Sequence, residues 1–168
     1  LASGGTYTGT TSASVAVFAP GGSIGTSKGA SNTLLPMGQE VTFDIETTNM
    51  ANVPLNNVVV ADPLLIPDAT GIPETPSAYD HLALENVTFS APASLSGGEI
   101  FLYSSGSWLP FTSGDPVPAG VTGFKVVFPP ASTLAPNAQI AMAVTMTRVG
   151  GASAPPPAAP FQNCAASY

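Results

Sequence analysis

From Met37 to Asn49 the chain alternates apolar and polar residues, so that Val41, Phe43 and Ile45 share one face and Thr42, Asp44 and Glu46 the other. A period of two cannot form the apolar stripe of a helix; it is the pattern of a strand with one face buried. A turn signal at Asn52-Val53-Pro54 follows, and a second run places Val58 and Val60 on one face before Asp62-Pro63 ends it. Strands with one apolar face each are satisfied when two sheets close face to face over a shared core, so the pattern predicts an all-β sandwich.

The same rhythm continues along the chain. Strands are expected at about 12–18, 23–28, 40–48, 56–61, 82–90, 99–104, 107–111, 121–128, 138–148 and 161–167. The clearest alternation is Ile140, Met142, Val144 and Met146 on one face against Gln139, Ala141, Ala143 and Thr145 on the other. Phe124, Val126 and Phe128 repeat it with Lys125 on the opposite side, and Pro129-Pro130 stops the run because proline cannot donate to a ladder. Residues 62–79 hold several prolines and read as a long surface loop. Gly150 to Pro160 is a low-complexity crossing stiffened toward polyproline II, read as carrying the chain from one sheet to the other.

The stretch from Gly38 to Asp62 resembles the signature of DUF11-type immunoglobulin-like repeats of microbial cell-surface and filament proteins. It carries Gly38, Val41-Thr42-Phe43, Ile45 and Thr48-Asn49, then the proline turn, then Asn57-Val58, Val60 and Asp62. The resemblance covers Lys28 to about Leu65, and Asn163-Cys164-Ala165 is similar to the family's closing strand. It implies an immunoglobulin-like sandwich with an extracellular structural or adhesive role at the cell surface, and it implies no catalytic activity.

With 168 residues, one core is enough, taken as residues 21–168, preceded by an extension at 1–20 outside the family pattern. Thr6 to Phe18 is rich in Thr, Ser and Val and suits an extended strand. Its apolar end, Val15, Val17 and Phe18, can fold back on its own sheet edge, or it can act as a donor strand that completes the sheet of another copy. The start at Leu1 is read as a mature product after removal of a leader, or as a fragment of a longer chain.

Charge narrows the partners. Lys28, Lys125 and Arg148 stand against 10 acids, for a net charge of −7, which leaves no positive surface for phosphates and excludes nucleic acid. No apolar run approaches the roughly 20 residues that span a bilayer as a helix. His81 is the lone histidine, and neither a hydrolytic triad nor a zinc shell can be built on it, so no catalytic residue, metal site or cofactor is expected. Asp62, Asp68, Glu74 and Asp80 lack the close spacing of a local calcium loop.

Four features carry more specific chemistry. Some related pilin and adhesin sandwiches join a Lys of the first strand to an Asn of the last by an isopeptide bond, with a buried acid moving protons. The resemblance implies Lys28, Asn163 and Asp62 for those roles, with Asp44 and Glu46 competing as the acid. The alternative leaves Lys28 solvated, Asn163 bonded to backbone and Asp62 capping a turn. Asn86-Val87-Thr88 is a glycosylation sequon. Cys164, the single cysteine, can pair only between chains or serve as a small apolar core residue. Phe101, Tyr103 and Trp108, near Phe111 around the Ser104–Ser107 turn, can stack on sugars if exposed; core packing is the commoner fate of such rings.

The sequence thus predicts a non-enzymatic extracellular subunit that polymerises with copies of itself through its amino-terminal strand. The alternatives are a repeat module of a cell-surface adhesin or surface layer, and a carbohydrate-binding module with glycans as partners.

Overall fold

The computed structural model describes residues 24–31, 37–62, 78–149 and 166–167. These form an all-β, immunoglobulin-like sandwich. Its strands are β1 (Ile24–Ala30), β2 (Glu40–Asn49), β3 (Val59–Asp62), β4 (Leu82–Ser90), β5 (Glu99–Ser104), β6 (Ser107–Phe111), β7 (Val121–Val127), β8 (Gln139–Arg148) and β9 (Ala166–Ser167), with one 3-10 turn at Ala78–Asp80. One sheet has the order β1-β2-β8-β4 and the other β6-β5-β7-β3-β9, with every pairing antiparallel.

The core lies between the sheets and is built by the alternation itself. Val41, Phe43 and Ile45 of β2 and Ile140, Met142, Val144 and Met146 of β8 point inward from the first sheet. Ile100 and Leu102 of β5, Phe124 and Val126 of β7, and Val60 of β3 meet them from the second. The β5–β6 hairpin closes on Ser105 and Gly106, with φ of 51° and 83°. Two successive positive φ values are those of a type I′ turn, whose twist matches that of the strands it joins.

Where the ladder is interrupted, side chains take over the backbone bonding. Asn49, fully buried at the end of β2, donates from Nδ2 to the carbonyls of Val53 and Leu134 at 2.8 Å each and accepts at Oδ1 from the Ala51 amide at 2.9 Å. It thereby ties the turn after β2 to the segment preceding β8. The expected strand at 56–61 is shorter, because Asn57 adopts a φ of 55° and breaks the extended run. Val58 nevertheless faces the core, and its carbonyl accepts from the Phe128 amide at 3.1 Å. The amino-terminal strand with Val15, Val17 and Phe18, the loop at 63–77, the crossing at 150–160, and Asn163 and Cys164 lie outside the described residues.

Candidate functional site

Two constellations stand out, one inside the sandwich and one on it. The first joins the two sheets. Lys28 sits on β1, an edge strand of the four-stranded sheet, in register with Ile45 of β2 and on the same inward parity as Ile24 and Thr26. Asp62 ends β3 in the opposite sheet, on the inward face shared with Val60. Lys28 Nζ donates to Asp62 Oδ2 at 2.8 Å, with the lysine 5% and the aspartate 1% exposed. The ammonium also lies 4.9 Å from the centre of the Phe43 ring.

Asp62 therefore faces inward, as its parity predicts, and Lys28 is not solvated. Asp44 and Glu46, the competing acids, are exposed on the outer side of β2 and take no part, because the alternation that buries Ile45 turns its neighbours out. Burial pushes the Asp62 carboxyl above its ordinary value of 3.8, while the charge and the hydrogen bond of Lys28 pull it back down. Among the described residues no donor reaches Asp62 Oδ1.

The pair gives a pH prediction. In Lys28→Met the two lowering influences on Asp62 vanish and burial alone remains, so the folded state binds a proton more tightly than the unfolded chain. Stability then rises as pH falls from the raised folded pKa toward the unfolded value, by at most about 1.4 kcal/mol per pH unit. Urea midpoints of this variant at pH 7 and pH 5 check the sign: a higher midpoint at pH 5 is expected, opposite to ordinary acid denaturation.

The second constellation lies on the outer face of the β6-β5-β7 sheet. Tyr103 and Trp108 are cross-strand partners, with ring centres 5.0 Å apart and planes tilted by 52°. Lys125 of β7 reaches across β5 and holds its ammonium 4.1 Å from the centre of the Trp108 ring. Phe101, partnered by Pro110 on one side and Lys125 on the other, extends the same face along β5. Tyr103, Trp108, Phe101 and Lys125 are all half-buried, so each ring keeps an accessible surface. Core packing, the commoner fate of such rings, is not what happens here: the inward positions of β5 are taken by Ile100, Leu102 and Ser104. Phe111 turns the other way and packs against the core.

Pro110 and Glu99 also line a neighbouring cleft of about 770 Å³, together with Phe89, Phe111 and Asp115. Asn86 of the sequon is half-buried beside a register shift in β4, and its Oδ1 accepts from the Ser113 hydroxyl at 3.2 Å and the Gly114 amide at 3.1 Å. Among the described residues no group of three or more His, Cys, Asp or Glu is placed to hold a metal ion. No described helix is long and apolar enough to cross a membrane.

No protein-family model matches the chain, and no curated protein does. Among solved structures, the fold is similar to the family 3a carbohydrate-binding module of the cellulosomal scaffoldin of Clostridium thermocellum, with linkers (12% identity over 76% of this chain and 69% of that one, TM-score 0.31). A second structure of that module gives 12% identity, 75% and 76% coverage and a TM-score of 0.31. A family IIIa CBD structure from Clostridium cellulolyticum gives 13% identity, 66% and 64% coverage and a TM-score of 0.25. It is the chain's own two antiparallel sheets that define its fold.

Proposed function

We propose that this protein is a non-enzymatic extracellular module that binds a neutral polysaccharide on the outer face of its five-stranded sheet. One observation carries the reading: Tyr103, Trp108 and Lys125 converge on one outward face, with Phe101 and Pro110 beside them. The C–H face of a sugar ring packs on an aromatic face, while its hydroxyls need polar partners at the edge. Lys125 supplies a donor there, and Glu99 and Asp115 of the adjoining cleft supply acceptors. The net charge of −7 repels acidic polymers, which favours a neutral one.

Trp108→Ala removes the largest ring from a hairpin surface without opening the core, so the fold is expected to persist. Co-sedimentation with insoluble and soluble polysaccharides tests this. Loss of about 1.4 kcal/mol or more of stacking corresponds to at least tenfold weaker binding. Equal binding by the variant and the unaltered chain would overturn the assignment.

A second reading, self-assembly by strand addition, draws support from the sheet edges. β4 is blunted by its register shift beside Glu85 and β6 by Pro110, whereas β1 carries neither a register shift nor a proline. Negative-stain microscopy of the full chain beside a version lacking residues 1–20 separates the two cases: filaments from the first and monomers from the second establish donation, and monomers from both exclude it.

A further inference from the structure

Building on the polysaccharide reading, we infer that the track on the outer face continues past Pro110 into the cleft beside it. The ligand is then a single free chain of a soluble or amorphous neutral glycan, and not the flat surface of a crystalline one. On the outward face of the β5–β6 hairpin, Tyr103 and Trp108 are followed by Phe101 and Pro110, and Glu99 comes next along β5. From Tyr103 to Glu99 this row runs about 14 Å, at about 3.4 Å per residue, which is longer than one sugar ring. Pro110 and Glu99 belong both to that row and to the lining of the cleft, so the two surfaces are continuous.

The cleft lies on the open side of the sandwich, lined from β4 at the edge of one sheet and from β6 at the edge of the other. Its volume of about 770 Å³ falls within the roughly 300–1,000 Å³ of small-molecule sites. Phe89 and Phe111 offer apolar surface to the C–H face of a sugar ring. Thr88, Thr112 and Ser113 offer hydroxyls, and Glu99 and Asp115 accept from those of a sugar. None of the described residues that line it is basic, so none there selects for an acidic sugar. A plane of packed chains can rest on an outward row but cannot enter a recess between two sheet edges. A single chain can do both.

The lining is held in place by the fold itself. Asn86 of β4 accepts from the Ser113 hydroxyl and the Gly114 amide, which straps the segment after β6 to the opposite sheet. The Asp115 amide donates to the Thr112 carbonyl at 3.0 Å. Next to Glu99, a Cβ on Gly98 would fall 2.6 Å from the Phe128 ring and 2.9 Å from the Phe89 ring. Only glycine lets the backbone lie on that pair of rings, which meet edge-on with centres 5.6 Å apart. Binding to groups already fixed avoids the ordering cost that a mobile loop would add.

Calorimetric titration of the full chain with soluble hexasaccharides of glucose, mannose and xylose, and with the matching disaccharides, tests the inference. Co-sedimentation with microcrystalline cellulose and chitin runs beside it. The unaltered chain should bind one of the hexasaccharides at least about tenfold more tightly than its disaccharide, because only the longer chain covers both the rings and the cleft. Thr112→Arg puts a long cation beside Glu99 and Asp115, and Asp115→Ala removes one acceptor; both positions are exposed, so the core stays intact. Each should weaken hexasaccharide binding, the first by at least about tenfold, and Trp108→Ala should weaken it as well. Cleft variants that bind like the unaltered chain, with Trp108→Ala weakened, would overturn the inference and leave the aromatic face as the whole site. Weakening by the cleft variants alone would place the ligand off the rings and overturn the shared track. Retention on the crystalline solids without binding of any soluble hexasaccharide would overturn it too. Absence of binding to every probe would remove the polysaccharide reading itself, and this inference with it.

Discussion

Asp62→Ala is expected to destabilise the fold by about 3–5 kcal/mol, the usual consequence of breaking a buried ion pair by removing one of its members. Lys28 would remain between the sheets at 5% exposure with its carboxylate gone. It could neither reach water without peeling β1 outward nor discharge without losing its proton. The apolar double replacement Lys28→Met/Asp62→Leu removes both buried charges and should recover most of that loss. Chemical denaturation of the three proteins distinguishes the cases. A single variant as stable as the unaltered chain would show that the pair contributes nothing.

Phe124→Ala is expected to cost a further large amount, about 3–5 kcal/mol, from lost burial and an incompletely collapsed cavity. Phe124 is fully buried on the inner face of β7 and stands directly across from Asp62 in the β3–β7 register. A cavity there would open beside the carboxylate, and a polar wall lets water enter where an apolar one would stay dry. The urea midpoint should fall with the slope unchanged, as in any loss of core packing that leaves the unfolded chain alone. A change below about 1 kcal/mol would mean that the sheets re-close over the gap and would contradict this expectation.

How far these features were legible beforehand depended on the range of the interaction. Local patterning, short β-rich runs punctuated by glycine and proline, located β4, β5 and β6 with their observed bounds, because that signal is written into neighbouring residues. It likewise placed Asp62 on the side of Val58 and Val60, and Lys125 opposite Phe124 and Val126. The order of strands in each sheet is set by pairings between residues far apart in sequence, and no local signal reports it. For that reason the sequence does not show the stacking of Lys125 on Trp108 across β5, although each residue stands out in it separately.

The fate of Trp108 was ambiguous for a different reason. In Ser107–Phe111 both parities carry apolar side chains, Trp108 and Pro110 on one and Leu109 and Phe111 on the other, so alternation could not say which faced inward. The role of Asn49 was hidden in a different way. It closes the first strand of the DUF11-like motif with no role of its own there, yet its three hydrogen bonds make it the buried polar anchor of the turn that follows. A polar residue that closes an apolar alternation just before a proline turn is the signal that would have found it.

The proposal that the outer face of the second sheet binds polysaccharide is tested most directly by the protein's own fluorescence, because Trp108 is its one tryptophan. Titration with soluble neutral oligosaccharides should shift or quench the emission in a saturable way, with a midpoint that matches binding measured by co-sedimentation. Polysaccharide binding that saturates while the emission stays unchanged would place the ligand elsewhere and contradict the account.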